Sequence, residues 1–231
     1  MFKKMWVVGL TGLLILSNIN SAQAAPRYIS VSATGSVKVS PDAVRVNVTA
    51  TSSGASSKVA LSQTSSAAEK LRSSLSANGI TKNYIKSNSL SVFPEYNYSQ
   101  DKGSVLIGYK ATQSFEIIVR NAASAGDVVD AAVNAVGDNL IVDGVTPFIY
   151  DPTKATASAR VDAVKRAKAK ANSYAKLLNV SLGKIIYLDE GASGAPTPIM
   201  VGAAKSDSGA TVVDLGLQEV VVNIVTRWSI F

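Results

Sequence analysis

Apolar residues at every second position set the first limit on what this chain can fold into. In "DAVRVNVTATSSG", Val44, Val46, Val48 and Ala50 fall on one side while Arg45, Asn47 and Thr49 fall on the other. Successive strand side chains point to opposite faces, so the segment reads as a half-buried strand with one covered face. Such a face needs a second layer of structure over it. "YISVSATGSVKVSP" alternates in the same way, and the two segments read as a hairpin turning near Ser40-Pro41-Asp42.

The period then changes. From Ser57 to Ala77, residues Ala60, Thr64, Ala67, Leu71 and Leu75 recur three or four apart, and Asn78-Gly79 closes an amphipathic helix. "SNSLSVFPEYNYS" and "SVLIGYKATQSFEIIVR" follow as strands around "QDKG". The second is long for a strand, which points to one shared between two sub-sheets. "SAGDVVDAAVNAVG" is a short helix with Ser124 and Asp127 at capping-box spacing and Gly137 at its end. A strand at "NLIVDGVTPFIY", a helix through residues 160–179, a strand at "GKIIYLDE" and a terminal strand at "LQEVVVNIVTRWSIF" complete the order β-β-α-β-β-α-β-α-β-β. The fold class is α+β: two-layer antiparallel or mixed sheets with three helices, in two subdomains sharing a long strand, the C-terminal strand returning to the sheet. The subdomains are expected over about 27–104 plus 216–231 and about 105–191, with a mobile loop over about 192–215, where Ala, Gly, Ser and Pro dominate without periodicity.

The first residues set the compartment. "MFKK" is a basic start, "MWVVGLTGLLIL" an apolar run, and Ala22-Gln23-Ala24 the small-x-small pattern of a cleavage site, so residues 1–24 read as an export signal. The apolar run falls short of the roughly 20 residues that span a bilayer, so no stable membrane span is expected in the mature chain. Removing Lys3 and Lys4 with the signal leaves 21 cations against 16 acids. No cysteine is present, so there is neither a disulfide nor a site for a lipid at a processed N-terminal Cys. A chain of this length buries roughly 70% of its unfolded surface, enough for a core without metals or cross-links.

"RVDAVKRAKAKANSYAKLLN" concentrates the positive charge. On a helical wheel Ala157, Val161, Val164, Ala167, Ala171, Tyr174, Ala175 and Leu178 form the packing stripe, and Lys154, Lys165, Arg166, Lys170 and Lys176 the outer face. Arg160 and Lys168 project into the stripe and must snorkel or meet a carboxylate. On this reading Val164→Asp buries an unpaired charge and unfolds the protein. An anionic envelope component suits the outer face. Nucleic acid does not, because the chain is exported and lacks zinc-ligand, repeat and aromatic-platform patterns.

Missing residue types narrow the chemistry. Without His or Cys, the commonest general base, the thiolate nucleophile and the usual zinc, copper and haem ligands are absent. Asp127 and Asp130 sit in the first turn of a helix, where they offset its dipole. Asp189 and Glu190 are strand neighbours that face opposite ways. No calcium-loop or phosphate-loop pattern occurs, so the reading assigns no catalytic residue, cofactor or metal ligand. Ser173-Tyr-Ala-Lys176 matches S-x-x-K of penicillin-recognising enzymes, but S-D-N and K-T-G are absent. A serine-lysine or carboxylate-based envelope hydrolase is therefore the alternative to a non-enzymatic module.

"ISVSATGSVKVSPDAVRVNVTATSSG", "LRSSLSANGITKNYIKSNSLSVFPEYNY" and "ASARVDAVKRAKAKANSYAKLLNVSLGKIIYLDEG" resemble the SIMPL-domain family of exported bacterial proteins. The resemblance covers essentially the whole mature chain. Its most specific pieces are Gly35 to Asp42 and the Ala163 to Ala171 helix leading into Leu182-Gly183-Lys184. It implies an α+β fold, a periplasmic location with a secreted or cell-surface one as alternative, and a ring-like homo-oligomer. It brings no catalytic residues. The roles associated with relatives are defence against oxidative stress and surface or periplasmic immunogenicity, and with no Cys and three Met any protective role here would be indirect. Phe93, Tyr96, Tyr98 and Tyr109 flank one turn in a chain otherwise poor in aromatics, and they are the candidate oligomer interface.

Overall fold

The computed structural model describes residues 27–100, 103–191, 194, 196–199 and 211–231. The export signal expected over 1–24, and most of the loop expected over 192–215, lie outside the described residues.

The alternating segment 43–54 is strand β2 (Ala43–Gly54), which lies inside the first sheet. β4 (Gly103–Val119) and β5 (Leu140–Phe148) flank it, and β3 (Ile85–Ser99) lies beyond β4. All three pairings are antiparallel. Val44, Val46 and Val48 stand opposite Val119, Ile117 and Phe115, so one face of the sheet is a continuous apolar floor. Helices α1 (Ser57–Ala77) and α2 (Ala125–Val136) cover it with Leu71, Leu75, Val128 and Val129. α1 starts where the Ser56 hydroxyl accepts from Val59 N, and it ends at Gly79, whose φ of 79° suits a residue without a Cβ. Thr64 is sealed in this core, with its hydroxyl donating to the Ala111 carbonyl at 3.1 Å.

The second sheet has the order β1 (Tyr28–Val39), β8 (Leu217–Ile230), β6 (Leu182–Glu190), and the three-residue β7 (Thr197–Ile199) pairs with the start of β8. α3 (Thr153–Leu177) lies across the face that carries Val220, Val222, Ile224 and Trp228. The two sheets meet where residues 40–42 carry the chain from β1 into β2. There Asp42 Oδ1 accepts from Tyr150 N, and Gln218 Nε2 donates to the Pro147 carbonyl, both at 2.8 Å. Val213 and Leu215, just before β8, pack onto the first core.

The α+β class, with three α-helices and two antiparallel sheets among the described residues, agrees with the sequence reading. Several details differ. β1 and β2 do not form a hairpin: β1 pairs with β8 and β2 with β4 and β5, because both strands need a covered apolar face and two separate helical layers supply one each. The long strand is β4, with 17 residues, and both of its pairings lie within the first sheet. The elements group by sheet, β2 to β5 with α1 and α2, and β1, β6, β7 and β8 with α3, so a division near residue 104 would cut the β3–β4 pair. Part of the segment expected to be loop is β7. The capping box also does not form, since the Ser124 hydroxyl donates back to the Asn121 carbonyl in a 3-10 turn that precedes α2.

The largest correction concerns α3. Its buried row is Ala155, Ala159, Ala163, Ala167, Ala171 and Ala175, one alanine every four residues. Val161, Val164, Tyr174, Leu178 and Ala157, expected in the stripe, are exposed. Lys168 is exposed too, outside the packing row. The reason is distance. A Cβ added to Gly35 of β1 would collide with the backbone of Ala159 and Ala163, so helix and strand touch main chain to main chain and only the smallest side chains fit between them.

Two substitutions separate the two stripes. Gly35→Ala is expected to lower stability by about 1–3 kcal/mol through overpacking. Val164→Asp, on the outer side, should stay within about 0.5 kcal/mol of wild type. Urea denaturation of both variants checks this, and a larger loss for Val164→Asp would return the packing face to the valines.

Candidate interaction surface

β3 and β4 outrun the sheet they belong to. β2 stops pairing with β4 at the Gly54–Tyr109 rung, whereas β3 and β4 continue together to the Ser99–Gly103 rung. Among the described residues, neither a third strand nor a helix lies beside the two strands beyond Tyr109. Their apolar side chains are exposed accordingly: Tyr96 57%, Tyr98 79% and Ile107 61%. A bulge between Glu95 and Tyr96 shifts the register at the base of this ribbon, and the Ser53 hydroxyl, donating to Glu95 Oε2 at 2.9 Å, ties the base to β2. An isolated two-stranded ribbon is marginal in water, so the exposed rings are a surface in want of cover. Of the four aromatics read from the sequence, Tyr96 and Tyr98 lie exposed on the ribbon, Phe93 is exposed just inside it opposite Lys110, where β2 still pairs with β4, and Tyr109 is half-buried at its root opposite Pro94.

A second apolar strip was missed in the sequence reading. Among the described residues β6 is an edge strand paired only with β8, and Ile185, Ile186, Tyr187 and Leu188 are each between 42% and 49% exposed. Four consecutive apolar residues without alternation were the available signal, since an ordinary half-buried edge strand alternates.

The charged candidates resolve differently. Arg160 finds its carboxylate: Nε and Nη2 donate to Glu190 Oε2 and Oε1 at 2.6 and 2.8 Å, joining α3 to β6. The bidentate guanidinium holds the Glu190 carboxyl below the ordinary glutamate range, and Glu190 raises Arg160 in return. Asp189 and Glu190 oppose Val225 and Ile224, neighbours on β8, and so face opposite ways. Asp130 binds the Thr211 hydroxyl and amide, which lower its pKa and pin the approach to β8 onto α2. Ser173 and Lys176 are both exposed on α3, and no hydrogen bond joins them.

Where the sheets meet, Arg120 lies 3.5 Å from the Tyr150 ring centroid and donates through Nη1 to the Tyr84 hydroxyl at 3.2 Å. Arg45 covers Phe148 at 4.8 Å. These cations are stacked on rings and brace the junction. Among the described residues, no group of three or more Asp or Glu side chains is placed to hold a metal ion. Nor is any described helix long and apolar enough to cross a membrane.

Residues 29–228 match the family SIMPL, described as a protein of unknown function (DUF541). The 26 kDa periplasmic immunogenic protein of Brucella melitensis is 26% identical over 213 residues, which are 88% of this chain and 82% of that protein. The protein of the same name from Brucella abortus matches to the same extent. The uncharacterized protein YggE of Escherichia coli K12 is 29% identical over 213 residues, 89% of this chain and 83% of that protein.

The Arg160–Glu190 pair has a defined pH dependence. Because the folded pKa of Glu190 is depressed, its contribution is present above the ordinary glutamate pKa and is lost as pH falls through the lower, folded value. Arg160→Gln should therefore melt slightly below wild type at neutral pH, the gap closing only once the solution is more acidic than the ordinary glutamate range. Melting curves across that range test it, and a gap that persists in strong acid would assign the loss to packing of the Arg160 stem.

Proposed function

The chain belongs to the SIMPL family, and from that premise we propose that it is an exported, non-enzymatic structural or binding module of the cell envelope that assembles with copies of itself. The observation that carries this reading is the β3–β4 ribbon, whose Tyr96 and Tyr98, with Phe93 at its base, are exposed and have no covering layer among the described residues. The strip Ile185–Leu188 on β6 is a second, different apolar surface. Two unlike surfaces on one chain suit a head-to-tail contact, which closes into a ring when the rotation permits.

A periplasmic site of action is supported by the leader-like first 24 residues and by the names of the Brucella relatives. The outer side of α3, with Lys154, Lys165 and Lys176 exposed, suits an anionic envelope component. A contribution to stress defence would be indirect, since the chain has no Cys and three Met. Ser173 and Lys176 give the hydrolase alternative little support, because both sit exposed on an open helix face.

Light scattering coupled to size exclusion tests the assembly. Wild type is expected to elute as a multiple of the chain mass, and Tyr96→Ser with Tyr98→Ser to shift it toward the single chain without changing the circular dichroism spectrum. A wild-type chain that stays monomeric at high concentration would refute the proposal.

A further inference from the structure

A cleft of about 370 Å³ opens between the C-terminal half of α1 and the start of β3. It arises because α1 packs mainly over β2 and β4 and touches β3 only lightly. Its lining is Arg72, Ser76, Ile80, Lys82, Ile85 and Ser87. Ile80 is buried and Ile85 half-buried, which gives the cleft an apolar floor, while Ser76 and Ser87 bring hydroxyls to its walls. Both ionisable groups are cations. The Arg72 guanidinium stands over the ring of the fully buried Phe115 at 5.0 Å, and among the described residues neither Arg72 nor Lys82 has a carboxylate partner. Arg45, Arg160 and Arg166 each have one.

The apolar floor continues beyond the cleft. Ser87 pairs with Phe115, and after a bulge Leu90 and Val92 pair with Gln113 and Ala111, so all of these lie on the helix-bearing face of the sheet. Leu90 and Val92 are 55% and 38% exposed there, an uncovered apolar row leading away from two unpaired cations. A concave, mostly apolar site with a few convergent polar groups is the usual form of a small-ligand pocket.

We propose that this cleft binds a small amphipathic anion, an organic carboxylate carrying an aliphatic tail. Arg72 and Lys82 hold the head, with Ser76 and Ser87 donating to it, and the tail lies along Ile80, Ile85 and the Leu90–Val92 row. The pairing follows from charge and shape together. A bare inorganic anion would leave the apolar row wet, and a neutral chain would leave both cations unpaired.

Isothermal titration calorimetry on the wild-type protein, in whatever assembly state it holds, tests this with three probes: octanoate, octanol and acetate. Octanoate should bind at one per chain, octanol about tenfold more weakly, and acetate without measurable heat. Arg72→Gln with Lys82→Gln, both on exposed side chains, should bring octanoate down to the octanol level and leave octanol unchanged. Ser87→Trp, which fills the cleft from an exposed position, should remove both. Tyr96→Ser with Tyr98→Ser should leave octanoate binding intact, so failure here and failure of the assembly proposal read out separately. The inference is overturned if acetate and octanoate bind alike, if octanol matches octanoate in wild type, or if the double Gln variant keeps the wild-type preference.

Discussion

The ladder along β8 is the interaction on which half of the molecule depends. On one side it pairs with β1 over twelve successive rungs, from Tyr28–Ser229 to Val39–Gln218. On the other it holds β7 at its start and β6 at its end. Without β8 none of the three has a partner among the described strands, and α3 has no floor of Val220, Val222, Ile224 and Trp228 to rest on. The first sheet is more self-contained, since β2 to β5 and the helices over them are contiguous in sequence. The two are joined by short tethers at 40–42, 147–151 and 211–218, where side chains accept or donate main-chain hydrogen bonds across the junction.

The elements were legible in the sequence because hydrophobic periodicity is a local property, and the partners were not because pairing is a choice among equals. β1 and β2 each announce a strand with one covered face, and nothing in either distinguishes a neighbouring partner from one about 190 residues on. Thr34 and Asn223, joined by a side-chain hydrogen bond, are 189 residues apart. The α3 stripe was misread for a different reason. A wheel ranks valine, tyrosine and leucine above alanine, but at a contact as close as that over Gly35, size decides which residues can lie inside. The period of four among the alanines, together with one glycine in β1, was the signal available.

The candidate surface was legible in proportion to how unusual its composition is. Phe93, Tyr96 and Tyr98 stand out in an aromatic-poor chain, and the structure leaves them uncovered. Tyr109 has the same composition signal but sits where β2 still shields it. Arg160 was recognised as needing a carboxylate, yet Glu190 could not be named before the packing of α3 against β6 was known. The cleft under Arg72 left no mark in the sequence at all. It exists because α1 lies mainly over β2 and β4 and leaves the start of β3 only partly covered.

The alanine row of α3 also shapes the entropy of folding. Most core residues surrender rotamer freedom when buried, up to roughly 2 kcal/mol for the longest side chains, whereas alanine has none to lose. Alanine is also the strongest helix former, and α3 at 25 residues exceeds the roughly 12–15 below which isolated helices are marginal in water. The helix can therefore be largely wound before it meets the sheet, and the alanines of its buried row dock with no side-chain rotamer left to fix. Its contact with β1 gains little free energy per residue from apolar burial and gives up almost no disorder in exchange.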